Sequence, residues 1–181
     1  MMPAKLKISW PGGAWVAVIR LAVWALLGAA AAMSLAMLST PPANAGSNAV
    51  VIMYHRFGEP KYPSTNITLE QFEAHIQELQ TGGYRVVGLP EIIAARRDGK
   101  PLPGRAVGLS IDDSFRSVYR EAWPRLKEAG FPFTLFVATG PIDRKASNYM
   151  SWDQIREMAA AGVTIGSQTV SHLHMADASP E

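Results

Sequence analysis

From residue 47 onward, short apolar runs alternate with longer stretches in which apolar positions recur every three or four residues. The short runs predict strands, and the longer stretches predict amphipathic helices. The predicted strands are residues 49–54, 84–87, a run from 106 that ends at two aspartates, 133–138 and 163–166. Strands separated by helices of this length are typical of βαβ units, so we predict an α/β fold with a parallel sheet or barrel.

Two capping boxes mark where helices begin. Thr68-Leu69-Glu70-Gln71 and Ser151-Trp152-Asp153-Gln154 each place a hydroxyl side chain three residues before a glutamine, and these pairs satisfy the free N–H groups of a first helical turn. Two more helices are predicted, over residues 89–97 and 116–129, and Pro124 should kink the latter or delay its start. Residues 55–67 contain glycine and prolines and predict a loop.

The first 45 residues differ in kind from the rest. Three basic residues precede the uncharged, Ala- and Leu-rich stretch 21–38, and Ala43-Asn44-Ala45 follows it. This order predicts an export signal cleaved after Ala45, although the stretch is also close to the roughly 20 residues that an uncleaved membrane anchor needs. We therefore expect a leader at residues 1–45, a domain at residues 46–181, and a location in the periplasm, the cell envelope or the medium.

Charge and cysteine content narrow the classes of function. The 181 residues include 17 basic and 15 acidic ones, for a net charge of +2. All of the acidic residues but only 14 of the basic ones follow Ala45, so the part after the leader carries a net charge of −1. It has no basic run that indicates a nucleic-acid partner. Because there is no cysteine, any metal must be held by histidine and carboxylate side chains.

Asp112 and Asp113 end the buried apolar run that begins at Ala106. Two like charges at one strand end repel each other, and a cation or a shared proton would relieve that cost. The carboxyl ends of parallel strands are also where reacting groups collect in α/β folds. On a continuing strand the two side chains would point to opposite faces and have separate roles. The structural alternative is that Asp113 or Ser114 caps the next helix.

Histidines follow two of the predicted strands. His172 and His174 come after the last one, and on an extended segment this spacing places both imidazoles on one side, which suits metal binding. Solvated surface histidines are the alternative. His55 closes the first predicted strand, where a structural role and a functional one are both open, and His75 is expected at a helix surface. No Gly-rich phosphate loop and no Gly-x-Ser-x-Gly motif competes with these groups.

The chain carries a series of short segments in a characteristic order: Tyr54-His55, 83–87, 110–114, 130–137, Ser151-Trp152 and 166–172. Together they resemble the polysaccharide deacetylase (NodB-homology) family, which includes chitooligosaccharide deacetylases, from about residue 50 to residue 175. The resemblance implies a distorted (β/α) barrel of the glycoside hydrolase/deacetylase type. It implies that this chain is the N-terminal portion, truncated at its C-terminus, because the family's later motifs, including its general-acid histidine, would lie beyond Glu181.

The resemblance also implies roles for individual residues. In the family motif Thr-Phe-Asp-Asp-Gly, the first aspartate is the general base and the second binds a divalent metal, usually zinc; here they are Asp112 and Asp113. In the motif His-(Ser/Thr)-x-x-His both histidines bind that metal, and here the positions hold Gln168 and His172. An amide oxygen is a weaker zinc ligand than an imidazole. Three outcomes are open: Gln168 ligates weakly, His174 substitutes for it, or the metal is lost.

The implied activity is metal-assisted removal of N-acetyl groups from polysaccharides or oligosaccharides that contain N-acetylglucosamine, yielding acetate and a free glucosamine unit. Asp112 would take a proton from the attacking water. One alternative is a catalytically impaired or truncated relative that binds carbohydrate, and another is a hydrolase of a non-sugar amide or ester. The substrate polysaccharide is the predicted partner, and membrane contact is predicted only through an uncleaved leader.

Overall fold

The structure, a computed structural model, describes residues 48–174, 176 and 178. The predicted leader at residues 1–45 lies outside the described residues. Within the described part of the chain, no helix is long and apolar enough to cross a membrane.

A parallel sheet is the framework of the described residues. The strands are β1 (Ala49–Tyr54), β2 (Arg56–Phe57), β3 (Asn66–Ile67), β4 (Arg85–Val86), β5 (Ala106–Ile111), β6 (Thr134–Val137) and β7 (Thr164–Ser167). The main sheet has the order β1-β5-β6-β7, with β4 also paired to β5, and all of its pairings are parallel. Every residue of β5 is buried, as expected of a central parallel strand. The predicted α/β class with a parallel sheet is confirmed.

Five α-helices and one π-helical turn connect the strands in the described part of the chain. They are α1 (Leu69–Thr81), α2 (Leu89–Asp98), the π-helical turn Val118–Ala122, α3 (Trp123–Ala129), α4 (Thr139–Asp143) and α5 (Trp152–Ala160). Both predicted capping boxes are formed: Thr68 accepts a hydrogen bond from the N–H of Gln71, and Ser151 accepts one from the N–H of Gln154. The starts of α1 and α5 are thus fixed by local sequence.

Pro124 interrupts the helix predicted for residues 116–129. The π-helical turn Val118–Ala122 comes first, and α3 then begins at Trp123 with the proline in its first turn. A proline ring clashes with the carbonyl one turn earlier and offers no N–H, so it is tolerated at a helix start and the preceding turn widens. Gly130 ends α3 with a φ of 69°, the left-handed conformation that favours glycine at this position.

Two short elements depart from the sequence prediction. The predicted loop 55–67 contains β2 and β3, held in parallel by hydrogen bonds from the N–H of Arg56 to the carbonyl of Thr65 (3.0 Å) and from the N–H of Gly58 to that of Ile67 (2.9 Å). Helix α4 follows β6 after one residue and is not among the helices that the sequence predicts. Both elements depend on contacts with distant segments, which a local pattern does not contain.

Tyr54 ends β1 inside an aromatic part of the core. Its ring lies 5.7 Å from that of Phe57 and 5.4 Å from that of Phe72, measured between centroids. Its hydroxyl lies 3.0 Å from Nδ1 of His75, which accounts for His75 as a structural residue. Burial raises the pKa of Tyr54 to about 12, so the phenol stays protonated at the pH values where most proteins are handled.

This raised pKa predicts a loss of stability at alkaline pH. Because the folded-state pKa exceeds the unfolded value of about 10, the contribution of Tyr54 is complete below pH 10 and is lost as the pH rises through about 12. We expect the free energy of unfolding to fall by roughly 1 to 2 kcal/mol between pH 9 and pH 11.5 on this account. Urea unfolding of the wild type should show this loss and Tyr54→Phe should not, with Tyr84→Phe as the matched control. Equal losses in Tyr54→Phe and the wild type would refute the assignment.

Candidate active site

Asp112 and Asp113 lie at the carboxyl end of β5. The N–H of Asp112 donates to the carbonyl of Tyr54 (2.9 Å), so this residue still pairs with the end of β1. Strand β5 ends at Ile111, and Asp113 and Ser114 then adopt φ values of 72° and 58°. The prediction that strand alternation would send the two carboxylates to opposite faces does not hold, because a left-handed turn follows Asp112 in place of a continued strand.

This turn is held by the chain segment that precedes α5. The N–H of Met150 donates to the carbonyl of Ser114 (3.0 Å), and the N–H of Arg116 donates to the carbonyl of Asn148 (2.8 Å). The hydroxyl of Ser114 is fully buried and lies 3.5 Å from the carbonyl of Phe136. Ser114 therefore does not cap the next helix, and the capping alternative for the aspartate pair finds no support in these contacts.

The backbone around the two aspartates is conformationally costly. Of the six non-glycine residues with positive φ in the described part of the chain, four lie here: Asp113, Ser114, Thr169 and His172. A left-handed conformation costs a non-glycine residue roughly 1 to 2 kcal/mol. Costs of this kind collect where the fold fixes functional groups in place, so the strain supports a functional role for the segments after β5 and β7.

Gln168 follows β7 and bridges the two aspartates. Its side-chain oxygen accepts a hydrogen bond from the N–H of Asp113 (3.0 Å), and its side-chain nitrogen lies 3.5 Å from Oδ2 of Asp112. Its own N–H donates to the carbonyl of Val137 (2.9 Å), which fixes the backbone. The amide oxygen that would have to bind a metal is thus engaged with a backbone donor.

His172 faces the second aspartate: its Nε2 lies 3.4 Å from Oδ1 of Asp113. The φ of His172 is 57°, so the chain turns at this residue and the extended segment assumed for His172 and His174 is not present. The side chain of His174 is exposed, and its role as a substitute ligand stays a prediction.

The pair formed by Asp113 and His172 fits a divalent cation. Two ligands of one tetrahedral zinc ion, each at about 2.0–2.1 Å from it, lie about 3.3 Å apart, close to the 3.4 Å between Oδ1 and Nε2. Among the residues that the structure describes, no group of three or more His, Cys, Asp or Glu side chains could hold a metal ion. A cation at this position would therefore have at most two of these side chains as ligands.

The surroundings of Asp112 strengthen its hold on a proton. Burial raises the pKa of the Asp112 carboxyl above its usual value, the charge of Asp113 adds to this, and the charges of His55 and His172 oppose it. A carboxylate with a raised pKa binds a proton more strongly and is a better proton acceptor. His55, one of the candidates in the sequence, thus lies close enough to influence Asp112.

Two further residues next to the turn carry no sequence motif. The ring of Tyr149 packs on Phe115 with centroids 4.9 Å apart, and burial, followed by the charge of Asp113, raises the pKa of Tyr149. The guanidinium of Arg56 lies 3.3 Å from the ring centroid of Phe115 and is paired with Glu59 at 2.9 Å. The sequence could have indicated Arg56 as a site residue only through its position next to His55. It contains no motif that would have indicated Tyr149.

Helix α4 supports the segment that carries Gln168 and His172. The N–H of Gly140 donates to the carbonyl of Val170 (2.7 Å), and a Cβ at Gly140 would lie 2.6 Å from that oxygen. We expect Gly140→Ala to lower the free energy of unfolding by about 1 to 3 kcal/mol, measured by urea unfolding. Gly88→Ala is the matched control, since its nearest heavy atom would be 3.6 Å away. Equal stability of Gly140→Ala and the wild type would contradict this account.

Comparison with known proteins gives one family. Residues 99–181 match the family described as polysaccharide deacetylase. YxkH of Bacillus subtilis is 28% identical over 131 residues, which cover 72% of this chain and 46% of that protein. The poly-beta-1,6-N-acetyl-D-glucosamine N-deacetylase of Escherichia coli K12 is 31% identical over 94 residues, which cover 45% of this chain and 14% of that enzyme. The chain thus spans less than half the length of these curated relatives.

Among solved structures, IcaB from Ammonifex degensii has a TM-score of 0.60 and 36% identity to this chain. The match covers 67% of this chain and 53% of IcaB. The fold of the described residues is therefore shared with a solved protein that has recognisable sequence similarity.

Proposed function

We propose that this chain, whose residues 99–181 match the polysaccharide deacetylase family, removes N-acetyl groups from polymers of N-acetylglucosamine. The observation that carries the proposal is the meeting of Asp112, Asp113 and His172 at the carboxyl ends of β5 and β7. The named substrate of the Escherichia coli relative, a polymer of N-acetyl-D-glucosamine, supports this substrate class. The predicted leader would place the reaction in the cell envelope or outside the cell.

The chemistry we assign to Asp112 is proton transfer from water. Its carboxylate, with the pKa raised by burial, accepts a proton as the water oxygen bonds to the carbonyl carbon of the acetamide. The carbon–nitrogen bond then breaks as the nitrogen takes up the proton that Asp112 received from water, and the products are acetate and the sugar amine. Gln168 holds the geometry of this step, because it contacts the backbone of Asp113 and the carboxylate of Asp112.

Asp113 and His172 are the residues that would hold a divalent cation, with zinc as our proposal. Such an ion would supply polarisation of the acetamide carbonyl and acidification of water. The side chains of Asp113 and His172 do not need to move far to bind it, since their oxygen and nitrogen atoms are already 3.4 Å apart. Gln168 stands where the family has a histidine, so a weaker hold on zinc is expected than with three protein ligands.

The proposal is tested by acetate release from an N-acetylglucosamine pentamer, followed enzymatically, with cellopentaose as the matched sugar that carries no N-acetyl group. We expect acetate from the first substrate and none from the second. Failure to release acetate from N-acetylglucosamine oligomers in the presence of zinc would remove the deacetylase proposal.

A carbohydrate-binding protein without turnover is the second candidate. The observation that favours it is the bridge made by Gln168, which engages both aspartates in the described structure. In that case the pentamer would bind, as measured by calorimetry, without any acetate being formed. Binding and acetate release measured on the same preparation therefore separate the two functions.

A further inference from the structure

A cleft of about 680 Å³ lies beside the candidate active site and plays no part in the chemistry assigned above. Tyr149 and Met150 line it, and both also hold the turn after Asp113: Tyr149 packs on Phe115, and the N–H of Met150 donates to the carbonyl of Ser114. If a polymer binds with one residue at Asp112, its neighbouring residues can therefore reach this cleft.

The cleft is strongly basic. Its lining includes four cationic side chains, Arg116, Arg120, Lys145 and Arg156, and two carboxylates, Asp143 and Asp153. We call these four cations and the rings of Tyr149 and Trp152 the basic cleft. Most of the chain shows no such excess, since the part after the leader has a net charge of −1.

Both carboxylates of the cleft are already engaged. Asp153 pairs with Arg156 at 2.6 Å, and Asp143 accepts a hydrogen bond of 2.8 Å from the indole N–H of Trp152. No ion pair within the described residues involves the side chains of Arg116, Arg120 or Lys145. Three positive charges thus face one cleft without a bound counter-charge, and an anionic ligand would neutralise them.

Two aromatic rings distinguish this cleft from a general anion site. Tyr149 and Trp152 are half-buried, and the indole of Trp152 is held in orientation by its bond to Asp143. Aromatic side chains offer a flat apolar face together with a polar edge, which suits the apolar face and the hydroxyl groups of a sugar ring. Arginine side chains match the planar geometry of carboxylates.

We propose that the basic cleft binds a sugar residue that carries a carboxylate, next to the N-acetylated residue at Asp112. This deepens the proposed function and rests on it for the position of the neighbouring sugar. The substrate would then be an anionic polysaccharide, in which N-acetylated amino sugars and acidic sugars share one chain. Nucleic acid is the competing ligand for a basic surface with aromatic rings.

The test is calorimetric binding of tetragalacturonate to the full chain, compared with chitotetraose and a single-stranded oligothymidylate. We expect tetragalacturonate to bind. Its affinity should fall as the salt concentration is raised, because salt screens the attraction between charges. Arg120→Ala/Lys145→Ala should weaken its binding by about 20-fold, since each exposed ion pair contributes up to about 1 kcal/mol. Arg96→Ala/Lys100→Ala is the matched control, because it removes two exposed cations from the end of α2, outside the cleft.

Equal losses in the two double variants would overturn the proposal, and so would absence of tetragalacturonate binding at millimolar concentration. Tighter binding of the oligothymidylate than of tetragalacturonate would replace it with a nucleic-acid site. Acetate release by the wild type from the neutral pentamer separates this proposal from the proposed function. If the wild type releases acetate but does not bind tetragalacturonate in a charge-dependent way, only the proposal for the basic cleft is refuted. If it binds tetragalacturonate but releases no acetate, the proposed deacetylase activity is refuted.

Discussion

Asp112→Asn lowers the rate of acetate release by at least about 1,000-fold, the upper part of the range for loss of a general base. An asparagine keeps the shape of the side chain and an oxygen within reach of Gln168, but it cannot accept the proton of the attacking water. The raised pKa of Asp112 shows that its charge is costly to bury. The variant should therefore be at least as stable as the wild type at neutral pH, which separates loss of chemistry from loss of folding.

The measurement is the initial rate of acetate release from the N-acetylglucosamine pentamer, together with the thermal midpoint of each protein. Asp98→Asn is the matched control, because Asp98 ends α2 and, among the residues that the structure describes, forms ion pairs with Arg97 and Lys100 alone. The control should retain the wild-type rate. An Asp112→Asn protein that keeps more than about a tenth of the wild-type rate would show that another group takes the proton.

Gln168→His is the substitution with the largest expected effect on metal binding. It would place an imidazole beside Asp113 and His172, whose ligand atoms already lie 3.4 Å apart, and so complete a three-ligand site. We expect the affinity for zinc to rise by about 100-fold, because an imidazole nitrogen is a far better zinc ligand than an amide oxygen. Competition with a chromophoric chelator measures this affinity without relying on activity.

The matched controls for this experiment are Gln168→Ala and His174→Ala. If Gln168 only bridges the aspartates, Gln168→Ala removes a contact that orients Asp113, and the affinity for zinc should fall by no more than about 10- to 100-fold, the usual cost of losing such a contact. A loss well beyond about 100-fold in Gln168→Ala would identify Gln168 as a ligand, and a loss of that size in His174→Ala would identify His174 as the substitute. Either result would contradict the site with two protein ligands.

The sequence was sufficient where structure depends on local patterns. The apolar run of β1 and the capping boxes of α1 and α5 predicted those elements because strand propensity and helix capping depend on neighbouring residues. The interruption at Pro124 was predicted for the same reason, since the proline acts on its own helix.

The arrangement of the site required the structure. The left-handed turn at Asp113 and Ser114 is stabilised by Met150, which lies 36 residues after Ser114 in the chain. The sequence near the aspartates therefore does not predict this turn. The bridge from Gln168 to both aspartates likewise joins the ends of β5 and β7. The sequence identified Gln168 as a departure from the family pattern, and the contacts of its amide suggest the role it has instead.

The most direct test of the central claim is isotope incorporation into the acetate released from N-acetylglucosamine oligomers in water enriched in oxygen-18. If water activated by Asp112 attacks the acetamide, each acetate molecule formed by the wild type carries one oxygen atom from the solvent, and Asp112→Asn forms almost none. Acetate without solvent oxygen, or equal formation by the wild type and Asp112→Asn, would contradict the account.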